Sequence, residues 1–161
     1  MAINVLIDTN VLVYAHDRSE PIKQAHALTA LDRLQAASIG ALSVQTLSEF
    51  FNATTRRIKS PLSLDDAARQ VERFVRAWTV FNLTPMIILE ATRGVREYKF
   101  SYWDAQIWAA ARLNQVPVVF TEDIPSAHAI EGVRFVNPSR QILTSASGKL
   151  MWLCPCVTVI G

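Results

Sequence analysis

Short, uninterrupted apolar runs recur along this chain, each followed by a longer stretch whose apolar residues fall at helical spacing. Val5-Leu6-Ile7, Gly40-Ala41-Leu42-Ser43 and Val116-Pro117-Val118-Val119-Phe120 are too short for buried helices. They also lack the alternation of a strand with one wet face, so they predict strands covered on both sides. Trp78 to Phe81 and Val133 to Val136 complete the strand candidates. Between them, Pro21 opens a helix over 22–37, with Ala25, Leu28, Leu31 and Leu34 in phase. Ser43 caps a helix running to about Ile58, and Ser63-Leu64-Asp65-Asp66 is a capping box for one reaching Ala77. Thr84-Pro85 begins another to about Lys99, and Ser101 starts the last, through Leu113. The pattern predicts a three-layer α/β/α sandwich around a central, mostly parallel sheet.

With 161 residues, half of them apolar, the chain suits one domain with a substantial core. There is no internal repeat or linker, and the domain is placed at 1–140. The remainder, 141–161, is an apolar tail containing Leu150, Met151, Trp152 and Leu153. A net charge of +2 is too small to mark a nucleic-acid binder by bulk charge, so any basic surface must be local. The N-terminal run lacks a signal peptide's positive region, and no stretch reaches the roughly 18 apolar residues of a membrane helix. A cytoplasmic protein with no membrane role is expected. Cys154 and Cys156 cannot staple distant segments and read as reduced thiols.

In open α/β sheets, ligands bind beyond the carboxyl ends of the strands. Two strands here end in acid, at Asp8 and at Glu122-Asp123, while Asp104 opens a helix and Glu49 lies inside another. Carboxylates brought together repel unless a cation sits among them, and hard oxygen donors favour Mg2+ or Mn2+. Each acid also has a structural reading. Asp8 fits a helix cap, and Ser101-x-x-Asp104 fits a capping box. Glu49 falls opposite the face formed by Leu47, Phe51, Thr54 and Ile58, as on a solvated side. His16, His26 and His128 show no ligand spacing. Arg56, Arg57 and Lys59 follow the Glu49 helix, and Arg93, Arg96 and Lys99 precede Asp104. Of these, Arg93 and Arg96 are the candidates for gripping phosphate.

From residue 3 to Pro138 the chain resembles the PIN-domain nucleases, and specifically the VapC toxins of bacterial toxin–antitoxin pairs. Val5-Leu6-Ile7-Asp8-Thr9-Asn10-Val11-Leu12-Val13 is similar to the family's opening acidic motif. Leu47-Ser48-Glu49-Phe50-Phe51-Asn52, Tyr102-Trp103-Asp104-Ala105 and Phe120-Thr121-Glu122-Asp123 resemble the next three, in order. The resemblance implies a metal-dependent endoribonuclease, often a homodimer, acting on RNA and held by a VapB-like antitoxin. It implies that Asp8 and Asp104 hold the main Mg2+ or Mn2+ ion. Glu49 would reach it directly or through water, and Asp123 would serve a second ion or its waters. Thr9, Asn10 and Thr121 would orient waters or the scissile phosphate.

The chain departs from the family at Ala127, where relatives often have a glycine, and in the tail beyond Pro138. The other readings are a housekeeping RNA-processing nuclease of the same family, a phosphatase and an inactive binding module. A haloacid-dehalogenase-like phosphatase needs a second aspartate where this chain has Asn10.

Overall fold

A computed structural model describes residues 2–124 and 129–141. The tail with its two cysteines, the loop at Pro125 and Ala127, and His128 lie outside the described residues.

The chain forms β1 (Val5–Ile7), α1 (Thr9–His16), α2 (Pro21–Ala36), β2 (Gly40–Ser43), α3 (Val44–Arg56), α4 (Leu64–Ala77) and β3 (Thr79–Phe81). There follow α5 (Pro85–Tyr98), α6 (Tyr102–Leu113), β4 (Val118–Phe120), β5 (Ala129–Ile130), β6 (Val133–Val136) and α7 (Pro138–Gln141). The expected caps are in place: Ser43, Ser63, Thr84 and Ser101 each accept a hydrogen bond from the backbone N–H three residues on. The predicted strands and helices are therefore present, with ends shifted by one or two residues. No pattern along the chain signals β5, whose two residues pair antiparallel with β6. So short a strand carries no periodicity.

The sheet runs β3-β2-β1-β4-β6-β5, and every pairing except β5–β6 is parallel. Alternation along β1 divides the core, because successive side chains in a strand leave by opposite faces. Val5 and Ile7 pack with Val11, Leu12, Leu34 and Phe50, from α1, α2 and α3. Leu6 packs on the other face with Ala91, Ile107, Trp108 and Phe135, against α5 and α6. These are the three expected layers. Gly94 permits the close contact of α5 with α6, since a Cβ there would lie 2.9 Å from the Trp108 ring.

The chain winds from β1 outward through β2 to β3, then returns by α5 and α6 to lay β4 on the other side of β1. Strand order thus reverses between β1 and β4, which opens a crevice at their carboxyl ends. Register levels those ends: Ile7 pairs with Phe120, and the Asp8 N–H donates to the Phe120 carbonyl at 2.9 Å.

Candidate metal centre

Asp8 and Asp123 leave the ends of β1 and β4 at this crevice. Asp104 comes to it in the first turn of α6, after the Ser101 cap. One carboxylate oxygen from each of the three falls within 4.8 Å of the other two. The structural readings of Asp8 and Asp104 hold alongside this. Asp8 Oδ1 accepts from the Thr9 N–H at 2.7 Å as the α1 cap, and Asp104 Oδ2 accepts from the Ser101 hydroxyl at 2.8 Å. Each carboxylate turns one oxygen to its cap and keeps the other for different work.

The three acids line a cleft of about 290 Å3 with Thr9, Asn10, Gln45, Glu49 and Trp103. No lysine or arginine among the described residues lines it. The uncompensated charge appears in the acids themselves. Burial pushes Asp8 up to about 6, against hydrogen bonds from Thr121 and Thr9 that lower it, with Asp123 and Asp104 adding repulsion. Asp104 is raised as well, first by burial, with Asp123 adding to it.

Neighbouring side chains hold the acids in place. The Thr121 hydroxyl donates to Asp8 Oδ2 at 2.7 Å and accepts from Asn10 Nδ2 at 3.2 Å and the Asp123 N–H at 3.2 Å. It is fully buried, bonded within the protein, and does not line the cleft. Asn10 Nδ2 also donates to Asp123 Oδ2 at 3.0 Å, tying the fourth acidic motif to the first. Between the two candidates in that motif, the structure puts Asp123 at the cleft. Glu122 pairs with Lys23 at 3.2 Å and accepts from Ser139 at 2.6 Å.

Glu49 lines the cleft, though it lies outside the close trio. The expected solvated side for this residue came from taking Phe51 as a core residue. Phe50 is the buried one, at 0% exposure, while Phe51 is 36% exposed. One residue turns a helix by about 100°. The corrected stripe of Thr46, Leu47, Phe50 and Thr54 leaves Glu49 on its flank, beside the sheet.

Gln45 is a cleft residue that sequence reasoning missed. It lies one helical turn before Glu49, and its Nε2 donates to Glu49 Oε1 at 2.8 Å and to the Trp103 carbonyl at 3.2 Å. The four-residue spacing from Glu49 was the available signal.

The two predicted phosphate grips are elsewhere. Arg93 faces Glu90, Glu97 and Glu131 at 2.5–2.8 Å and does not line the cleft. Arg96 is exposed and does not line it either. His16 is half-buried, with its ring edge-on to Phe50 and Phe74.

A metal can be tested against these atoms. Two oxygens on one Mg2+ lie no further apart than twice the roughly 2.1 Å bond, so a 4.8 Å spread needs only a small contraction. All the donors are hard oxygens. Three cleft atoms, Thr9 Oγ1, Asn10 Oδ1 and Gln45 Oε1, are buried with no hydrogen-bond partner in the protein. Orphaned oxygens beside unbalanced carboxylates suit a hydrated cation, whose waters supply the missing donors.

Comparison with known proteins bears on the same residues. The model of the PIN domain matches residues 5–125. No curated protein matches by sequence. Among solved structures, a toxin–antitoxin complex from Klebsiella pneumoniae is 22% identical with a TM-score of 0.61, over 84% of this chain and 98% of that one. VapC20 of Mycobacterium tuberculosis, a sarcin-ricin loop cleaving toxin, is 19% identical with a TM-score of 0.60, covering 81% and 99%. DNA-bound VapBC from Salmonella typhimurium is 18% identical with a TM-score of 0.61, covering 84% and 98%. At these identities the likeness is one of fold.

Proposed function

The chain belongs to the PIN-domain family, and on that premise we propose that it is a divalent-metal-dependent endoribonuclease, the toxin of a VapBC-type pair. The observation that carries this reading is the cleft: four carboxylates, three unpartnered buried oxygens and, among the described residues, no cationic side chain in one place. Toxin–antitoxin proteins of the same fold support the biological role.

In this reading Asp8, Asp104 and Asp123 hold Mg2+ or Mn2+, with Glu49 completing the site directly or through water. The ion supplies Lewis acidity, lowering the pKa of water and offsetting charge on the phosphodiester. The protein's own part is to orient. Thr121 and Asn10 fix the directions of Asp8 and Asp123 through the hydrogen bonds described above. Thr9 Oγ1 is free to hold water or a phosphate oxygen, and Gln45 Oε1 to accept from water. No histidine base is required. Residues 1–140 form the catalytic unit, and 141–161 take no part in it. RNA is the substrate, a VapB-like antitoxin and a second copy of the chain are the partners, and the cytoplasm is the site of action. No described helix is long and apolar enough to cross a membrane.

The test is RNA cleavage by the purified protein. It should stop with EDTA and return with Mg2+ or Mn2+. Cleavage that persists in EDTA, or no cleavage of any RNA with either ion present, would overturn the reading.

A further inference from the structure

The acidic cleft does not end at the carboxylates. It opens into a groove of about 790 Å3 that shares Asn10, Gln45, Glu49, Trp103 and Asp123 with it and continues to Arg57 at the end of α3. That volume is typical of sites for organic ligands. Its character differs from that of the cleft. Trp103, the residue before Asp104, is 58% exposed, and so offers a large aromatic face to solvent. The residue is also braced. Tyr102 packs edge-on against the indole, with ring centroids 5.3 Å apart, and the Trp103 carbonyl is held by Gln45 at 3.2 Å. At the other end, Arg57 has no side-chain partner among the described residues, in contrast to Arg93. Asn52 and Ser48 line the wall between, with amide and hydroxyl groups.

We infer that this groove is a nucleotide subsite: Trp103 stacks an unpaired RNA base beside the scissile bond, and Arg57 takes a backbone phosphate further along. The inference rests on the ribonuclease reading above and adds to it how the RNA is held. A phosphodiester at the carboxylates must send its flanking nucleotides somewhere, and this groove is continuous with the cleft. An exposed, braced indole fits the flat face of a base, and a base can offer that face only when it is unpaired and unstacked. A duplex would present phosphates to Arg57 but nothing to Trp103. Asn52 and Ser48 can bond base edges but fix no sequence, so stacking dominates.

The probe is a short, fluorescently labelled single-stranded RNA of mixed sequence, with binding read by anisotropy and cleavage read separately. Trp103→Ala should weaken binding by roughly 5- to 150-fold, the range for loss of one base–aromatic stack, and Trp103→Phe should recover most of it. Trp103 is exposed, so the variant should keep the wild-type circular dichroism. Arg57→Ala should flatten the dependence of log affinity on log salt by about 0.7, the share of one phosphate contact on a single strand.

The decisive arm is an abasic scan. At one position of the RNA, removing the base should cost wild-type protein affinity but cost Trp103→Ala nothing further. The same penalty for Trp103→Ala at every abasic position, or no penalty at all, overturns the subsite. Unchanged RNA binding with a weakened complex with a co-purified protein partner also overturns it, assigning the groove to that partner. If cleavage is metal-dependent but indifferent to Trp103, the subsite falls and the ribonuclease stands. If binding depends on Trp103 but no RNA is cut, the ribonuclease reading falls and the subsite stands.

Discussion

Glu90, Glu97 and Glu131 gather on one side of this molecule as Asp8, Asp104 and Asp123 gather on another, yet their surroundings are opposite. The glutamates enclose Arg93, and Arg112 reaches Glu90 at 2.8 Å and Glu131 at 2.5 Å. Hydrogen bonds from Arg93, then Tyr98, hold Glu131 down to about 2, and Arg93 chiefly lowers Glu90. Both arginines also lie over the Trp108 ring. Among the described residues the aspartates have no such cation, and burial drives Asp8 and Asp104 up instead. An acidic cluster neutralised from within is a clamp, here joining α5 and α6 to the turn before β6. One left unbalanced at the switch point of the sheet is a receptor for a cation from outside.

The largest expected effect separates the two clusters by activity. Asp8→Asn or Asp104→Asn should reduce RNA cleavage by more than the roughly 10–100-fold typical of changes behind a metal's own ligands. The metal-free variants should melt no lower than wild type, because a repelling charge is gone. Full activity in either variant would end the assignment of the cleft. Glu49→Gln should cost less, roughly 10–100-fold, mainly as a higher Mg2+ concentration for half-maximal cleavage. An activity loss that saturating Mg2+ cannot reduce would move Glu49 out of the metal-holding role.

The two clusters also predict opposite responses to acid. Asp8 has a folded pKa of about 6 against 3.8 unfolded, so the folded state binds its proton more tightly. The metal-free protein therefore carries a penalty of about 3 kcal/mol above pH 6, relieved as pH falls from about 6 towards 4. In EDTA, lowering the pH from 7 to 5 should raise the melting temperature by several degrees, and Asp8→Asn should abolish that rise. Adding Mg2+ at pH 7 should replace it. Glu131 has the reverse sign: with its pKa lowered from 4.5 to about 2, its stabilisation is present above pH 4.5 and is lost as pH falls towards 2. A melting temperature that falls steadily from pH 7 to 5 in EDTA would contradict the picture of an unbalanced Asp8.

The smallest effect belongs to the clamp. Arg93→Ala should lower the melting temperature by a few degrees while cleavage per folded molecule stays unchanged. If it removes cleavage without loss of stability, Arg93 grips RNA after all and the contrast between the clusters fails.

Much of the fold was legible because its signals are local. Apolar runs marked β1, β2 and β4, and Ser43, Ser63, Thr84 and Ser101 announced four helices by chemistry confined to one turn. The candidate acids were legible for a similar reason, since Asp8 directly follows one buried strand and Asp123 lies just past the end of another, after Thr121 and Glu122. Glu90, Arg93 and Glu97 also stand at helical spacing, but Glu131 is 38 residues from Arg93 and gives no such sign.

What the sequence determined by itself was thus the main strands and helices, their layering and the candidate acids, with Glu122 and Asp123 both open in the last motif. Tertiary structure decided which charges meet. The pairing of Ile7 with Phe120 brings Asp8 level with Thr121 and Asp123. The rotation of α3 that buries Phe50 turns Glu49 towards the same cleft, and the β5–β6 turn delivers Glu131 to Arg93. Whether an acid is neutralised or left waiting for a cation depends on Coulomb energies between side chains distant along the chain. Those energies exist only once the sheet has fixed the separations.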